Sequence, residues 1–367
     1  MRWTPVVWRS DNRPRMDERQ DGEHSSIALI PAWAESWFAT LGADATPQLL
    51  ESSDLSVSVL LALRVRERFR CLQFPGSMLL PDYCELPIRS GGAAGDGLAD
   101  SLDAAFRRTN ADAFVLDGAR PHSATVAWAR GLRESDRLDS ADTPVDCAYW
   151  TELASDWDTQ LAAFRPQFRR DTRRRLRRLG EHGPVRLERI DDLVAARETL
   201  AFVARHHQAR RESQRERSIF QLPAATDFYD LLVQRLLDDP RLHFTRLLVG
   251  SRIVAAHLGF KQDNRLFWAL PVFDTAFSFY SPGRLLLFLL VQAAIDEGVT
   301  VFDLGVSEQQ YKFELKPEAT PIHSVVIAPR TLRGKAALTW FGRLRPQIAA
   351  RTRSTRQRVL VTGLRRG

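Results

Sequence analysis

The sequence predicts an α/β protein built in two parts. Three observations carry that expectation. Apolar runs of helical and of strand period alternate along the chain. Its 367 residues exceed a typical single domain, and 44% hydrophobic content fills two modest cores. One block, from Tyr280 to Lys312, sets a turn, a helix and a strand in an order suited to holding an anion.

Residues 1–26 mix Arg, Asp, Gln and Pro without a period and are expected to form a flexible arm. The first domain is expected over 27–144. Within it, 31–41 has the pattern of a helix carrying Trp33, Trp37 and Phe38, and 56–65 and 69–74 have that of strands. Glycine-rich 91–97 precedes a helix over 98–108, and 113–116 is a short buried strand. A charged connection over 133–144 marks the change of domain. Residues 145–153 then form a strand that either closes the first sheet or bridges two sheets.

The second domain is expected over 145–329. It opens with a helix over 157–179, with Phe164, Phe168, Leu176 and Leu179 on one side and arginines on the other. Strand Val185–Arg189, helices over 191–210 and 224–238, and strands over 244–249, 253–261 and 265–271 follow. Gly250-Ser251 marks a hairpin between the first two of those three strands. After the Tyr280 to Lys312 block, a strand over 321–327 finishes the sheet. Residues 330–367 carry eleven positive charges, and no acid follows Glu318. With Leu332, Leu338, Trp340, Phe341, Leu344 and Ile348 interspersed, this tail suits docking on an anionic membrane surface or on an acidic protein, or else is a surface helix with a disordered end.

Net charge is +7 with a pI near 9.7, which favours anionic partners such as phosphates, CoA, tRNA or acidic lipid without choosing among them. Lysine occurs only at 261, 312, 316 and 335, so arginine supplies most of the charge. Residues 165–178 hold eight arginines and one acid, Asp171. That face grips an anionic substrate or is simply solvated; no aromatic side chains interleave it for base stacking, and DNA is not an expected partner. Cys71, Cys84 and Cys147 form neither a CxxC pair nor an even set, and the first 26 residues are too polar for a secretory signal. A reduced cytoplasm is expected, with attachment at the inner face of the membrane through the basic tail. No carboxylate or cysteine stands at ligand spacing from His206 and His207, so no metal is expected.

Ser281-Pro282-Gly283 makes a sharp turn into a helix whose Leu286, Leu289, Leu290, Ala293 and Ala294 form a buried face and whose stop is Gly298. Such a helix start offers free N–H groups and the positive end of a dipole to an anion. The same tripeptide also opens ordinary helices. A strand over 300–304 follows, then Tyr311-Lys312.

This order of strand, anion-binding turn, helix, strand and Tyr-Lys loop resembles the second half of an acyltransferase domain of the GNAT superfamily. More narrowly, it resembles the CelD/BcsL-type proteins associated with cellulose biosynthesis and their relatives, the FemABX peptidyltransferases. The similarity is continuous in pattern over 148–327 and weaker over 55–117. It implies two tandem GNAT-like halves, each a mixed, mostly antiparallel sheet flanked by helices, with catalysis in the C-terminal half.

The resemblance implies that Ser281, Pro282, Gly283, Arg284 and Leu285 cradle the phosphates of acyl-CoA or a similar thioester or ester donor. Tyr280 and Leu285 stand where the family's loop has Gln or Arg and Gly or Ala. Lys312 is implied to steady the charge that develops as an amine attacks the acyl carbonyl, and Tyr311 to protonate the leaving group or to pack over the sheet end. Asp303 is implied to take the amine's proton or hold the acceptor, or else to cap the next turn, with Glu308 a weaker base. Trp268, Phe279 and Tyr280 would wall an acyl or acceptor pocket. His206 and Arg210 fit a family His and Arg, with Arg211 where a Trp usually follows. The implied activity is acyl transfer to an amine or hydroxyl acceptor, linked to exopolysaccharide or envelope production. An aminoacyl-tRNA-dependent peptidyltransferase and a non-catalytic scaffold of a polysaccharide-synthesis complex are the alternatives.

Overall fold

The computed structural model describes residues 26–77, 79, 83–88, 95–306 and 309–348. The expected arm before Ser26, the tail beyond Ile348 and Glu308 lie outside the described residues. The chain runs through α1 (Pro31–Ala39), β1 (Thr46–Glu51), β2 (Ser58–Arg66), β3 (Phe69–Gln73), α2 (Gly95–Thr109), β4 (Ala113–Ala119), α3 (Ala124–Gly131) and β5 (Leu138–Glu152). Next come α4 (Trp157–Ala163), α5 (Pro166–Gly180), β6 (Val185–Arg189), α6 (Leu193–Ser213), α7 (Pro223–Leu236), β7 (Leu242–Val249), β8 (Arg252–Gln262) and β9 (Arg265–Phe273). The last elements are α8 (Pro282–Asp296), β10 (Val301–Val306), β11 (Glu318–Pro329) and α9 (Leu332–Thr339).

The eleven strands among the described residues join one mixed, mostly antiparallel sheet in the order β1-β2-β3-β4-β11-β5-β10-β9-β8-β7-β6, with helices against its faces. Each half repeats one scheme. An antiparallel meander ends in a strand (β3 or β9), a helix crosses over (α2 or α8), and a parallel strand follows (β4 or β10). The strands that close the scheme are exchanged. β11, from the C-terminal half, pairs with β4, while β5 pairs with β10, and the two exchanged strands pair with each other in the middle.

Two elements differ from the expectation for local reasons. The helix expected over 157–179 breaks at Arg165, because Pro166 bars the preceding residue from the helical region and Arg165 is extended at ψ 137. The connection expected over 133–144 is strand from Leu138 onward, paired from Leu138↔Pro329. Its charges are absorbed by ion pairs: Asp139 with Arg330, and Asp142 with Arg130, Arg133 and His323. Strand β1 and helix α3 were not foreseen. β1 is an edge strand that tolerates Pro47, and α3 starts at an N-cap, Ser123, that accepts the Val126 N–H.

On one face of the C-terminal half, α6 and α7 pack with α1 of the N-terminal half; Trp33 lies edge-on to Phe228 at 5.1 Å and Phe260 at 5.9 Å. On the other face, Phe164 and Phe168 meet Phe288 of α8 over Leu266, Trp268 and Phe302. No disulfide joins Cys71, Cys84 and Cys147. Among the described residues no helix is long and apolar enough to cross a membrane.

Candidate active site

Parallel pairing of β9 with β10 stops at Asp303↔Phe267. Beyond it β9 stays with β8 as far as Phe273 while β10 stays with β5 as far as Val306, so the two strands splay apart. The helical turn Gln310–Leu315 lies across the opening and contacts both arms. The Trp268 indole on β9 donates to Tyr311 Oη at 2.9 Å. Lys312 Nζ donates to the carbonyls of Gly305 at 3.3 Å and Val306 at 3.1 Å on β10. Tyr311 and Lys312 thus bridge the splay, Tyr311 tied to one arm and Lys312 to the other.

Lys312 is 2% exposed, and burial pushes its ammonium down to about 8. It lies 5.8 Å from the centre of the Tyr149 ring, a cation–π contact that offsets part of the desolvation. Burial raises the Tyr311 phenol, so it stays protonated at neutral pH. Trp268 is fixed from behind by stacking on His257, with centroids 4.6 Å apart and planes at 17°. Burial holds that histidine neutral.

Helix α8 begins beyond the end of β9, so its N-terminus and the mouth of the splay lie at one end of the sheet. Ser281 is left-handed (φ 53) and Pro282 takes the first helical position. Arg284 and Leu285 turn their N–H groups back to the Ser281 carbonyl at 3.0 and 3.1 Å, leaving the Gly283 N–H without a partner among the described residues. The backbone therefore offers fewer donors than the sequence suggested. Guanidinium groups add to them. Arg175 of α5 donates to Ser281 Oγ and to the Phe279 carbonyl, both at 2.8 Å, and Asp171 holds Arg174, Arg175 and Arg284 together at 2.5, 2.7 and 3.2 Å. The bond from Arg175 holds the Asp171 carboxyl below the usual range. A Cβ on Gly283 would lie 3.0 Å from Cδ1 of Phe273, so a larger residue there requires the Phe273 ring to give way.

Asp303 sits at the root of the splay and is 1% exposed. Its carboxylate accepts from Tyr83 Oη at 2.7 Å, Arg265 at 2.8 Å and the Gly305 N–H at 2.8 Å, where the β10 register shifts. Burial raises its pKa in spite of Arg265. Three partners already hold the group expected to take a proton or hold the acceptor, and it shapes the bulge that carries Gly305.

Arg210, from the end of α6, lies over the Phe273 ring at 5.4 Å, and its charge reaches Tyr311. Trp268, Tyr311, Lys312, Asp303, Arg210 and Gly283 are thus gathered around the splay and its rim. Phe279 and Tyr280 stand apart, on the α5 side of the turn: Phe279 is exposed with Arg178 over it at 6.0 Å, and Tyr280 Oη meets His182 Nε2 at 2.6 Å. His206 faces Asp274 at 3.9 Å and lies 4.2 Å from Phe202, kept largely neutral by burial. Tyr83, Tyr149, Arg175 and Arg265 were not singled out. Asp171, the single acid in an arginine run, was a visible signal for the cluster around it. Among the described residues no group of His, Cys, Asp and Glu is arranged to hold a metal.

Residues 166–313 match the family model described as an acetyltransferase (GNAT) domain, a span from the start of α5 to the residue after Lys312. Among solved structures, that of FemX superposes with a TM-score of 0.60 at 10% identity, covering 83% of this chain and 93% of that one. The C-terminal domain of a putative lysylphosphatidylglycerol synthetase from Agrobacterium fabrum gives 0.52 at 12% identity, covering 86% and 93%. A conserved protein of unknown function from Bacteroides thetaiotaomicron gives 0.52 at 11%, covering 83% and 93%. At such identities the likeness is one of fold. No curated protein matches the sequence.

Proposed function

We propose that this chain, whose C-terminal half carries a GNAT-fold acetyltransferase domain, transfers an acyl group directly from a thioester or ester donor to an amine, with a hydroxyl as the second choice of acceptor. The observation that carries the reading is the bridge of Tyr311 and Lys312 across the splayed strands, which puts a proton donor and a buried cation at one opening.

In this reading the donor's phosphates rest on Gly283 N–H, Arg175 and Arg284, the arginines exchanging Asp171 for phosphate. The acyl carbonyl lies against Lys312 Nζ. The amine lone pair forms the new C–N bond, and the Lys312 ammonium stabilises the oxyanion of the tetrahedral intermediate. Collapse breaks the bond to the leaving group, which takes a proton from Tyr311; the proton lost by the amine passes to solvent and restores the phenol. Positioning accounts for the remaining acceleration, which is why no triad is needed.

Acyl-CoA is the first donor we propose. An aminoacyl ester is the second, and one observation favours it: burial raises the Tyr311 phenol, which then matches an alkoxide leaving group better than the thiolate of a thiol with a pKa of about 8.5. The arginine face of α5 beside the turn suits a polyanionic carrier such as tRNA, and the FemX-like fold is consistent with it. The closer likeness to CelD/BcsL-type proteins, and with it a place in exopolysaccharide or envelope production at the inner face of the membrane, belongs to the same proposal and rests on the sequence resemblance.

Calorimetry of the whole protein at two salt concentrations tests the reading with acetyl-CoA, longer acyl-CoAs, CoA and charged tRNA. Micromolar CoA-type binding that Gly283→Trp removes makes this an acyl-CoA transferase. Salt-sensitive tRNA binding alone, with a slope set by the phosphates neutralised, moves it to the aminoacyl class. No binding of either overturns the proposal in favour of a non-catalytic scaffold.

A further inference from the structure

A cleft of about 940 Å³ opens on the sheet face opposite α8, between the two halves, and none of the groups around the splay lines it. Its floor is Leu258 and Phe260 of β8 with Ala269 and Leu270 of β9, and Trp33, Trp37 and Tyr229 stand in its walls. Such an interior suits a long apolar body.

The charged groups of the cleft are of one sign. Arg64, Arg211 and Arg217 line it, and no acidic residue does. Arg64 and Arg211 pair outward with Asp44 and Glu216, in exposed pairs that contribute little and yield readily to a better-placed anion. Arg217 is exposed and makes no ion pair among the described residues. Deeper in the wall, Ser77 Oγ is buried and has no hydrogen-bond partner among the described residues. A buried hydroxyl without a partner costs free energy that a polar atom of a ligand would recover.

We infer that this cleft binds an anionic amphiphile, with a long aliphatic body along Ile219, Leu222 and Leu270, over the buried Leu258 and Phe260, and a phosphate or carboxylate head among Arg64, Arg211 and Arg217. The floor includes the two residues after Trp268 on the arm that holds Tyr311, so the occupant lies against the back of the transfer opening, as the second substrate would. That role rests on the transfer reading; the binding does not.

Decyl phosphate below its micelle concentration is the probe, titrated by calorimetry into the whole protein. Decyltrimethylammonium and inorganic phosphate are titrated for comparison, and decanoate tests the carboxylate source of the same charge. Decyl phosphate is expected to bind at least tenfold tighter than decyltrimethylammonium, with inorganic phosphate giving no heat. The exposed double variant Arg211→Glu/Arg217→Glu, its fold checked by circular dichroism, is expected to weaken decyl phosphate at least tenfold. The same variant leaves untouched any donor binding that Gly283→Trp removes, so a failed donor assay and a failed cleft are told apart. Equal binding of the cationic amphiphile, binding of phosphate alone at the same strength, affinity unchanged by the double reversal, or no binding of decyl phosphate would each overturn the assignment. Displacement of a bound donor by decyl phosphate would place both in one site and overturn it as well.

Discussion

Burial makes the charge of Lys312 removable by pH. With its ammonium pushed down to about 8, the lysine is charged below that pH and neutral above it. If the charge stabilises the oxyanion, kcat/KM falls on the alkaline side with an apparent pKa near 8. Lys312→Arg, whose guanidinium stays charged, then loses that limb, and Lys312→Met drops kcat by about 10²- to 10³-fold. A rate that instead rises through pH 8 in the parent and flattens in Lys312→Arg would make the lysine a base and remove its assigned role. Upstream of it, Asp303 holds Gly305, whose carbonyl receives Lys312, and Tyr83 holds Asp303 from the other half of the chain. Tyr83→Phe leaves that buried oxygen short of a donor and should cost about 1 to 3 kcal/mol in denaturant melts. It should also lower kcat while KM stays put, because the donor's seat at Gly283 is untouched; an unchanged kcat would break the proposed link to Lys312. Lys312 was legible because its type is scarce and its position follows a strand end. The partners of Asp303 were not, since Tyr83 is 220 residues away in the chain and only the fold makes them neighbours.

Helices α6 and α7 were legible because one apolar face at a spacing of 3.6 survives any tertiary context; α8 was legible as a helix, but it is buried nearly all round, with Leu285, Leu287, Phe288 and Val291 buried and the expected Leu289 and Ala293 only half-buried. The first half of β5 was not legible, although its second half was read as a strand over 145–153, because Asp139 and Asp142 look like loop residues until cross-strand arginines and a histidine arrive to pair them. The junction of α5 and α8 shows the same limit. The sequence presents eight arginines and one acid, while the structure shows the acid gathering three arginines where the donor's phosphates are proposed to sit. Asp171 then competes with the donor. Asp171→Asn should raise affinity for the phosphate-bearing donor several-fold at low salt and steepen its salt dependence, since the released guanidiniums are partly exposed and screened within about 8–10 Å at physiological ionic strength. Weaker binding in this variant would mean that the carboxylate orients the arginines and does not compete.

At the scale of the molecule, the repeated scheme in the two halves left no trace in sequence identity, because what repeats is strand order and crossover. The exchange of β5 and β11 has a mechanical consequence. β11 runs along β5 from Glu318↔Trp150 to Pro329↔Leu138 and along β4 on its other side, so neither half can leave without stripping strands from the other. Trp33 of the N-terminal half, packed between Phe228 and Phe260, adds a second tie on the face opposite α8. The whole chain should therefore unfold in one transition, with tryptophan fluorescence and far-ultraviolet circular dichroism superimposing across a urea titration. A fragment of residues 145–329, cut where composition places the boundary, loses the first seven residues of β5 and all of β4, and exposes both edges of the outer part of β11. An unpaired central strand with Val325, Val326 and Ile327 in it is a template for aggregation, so the fragment should be insoluble or unfolded. Two resolved transitions in the whole protein, or a soluble fragment that melts cooperatively alone, would show that the seam between β5 and β11 carries little free energy. In that case the tie from Tyr83 to Asp303 could not transmit the state of one half to the other.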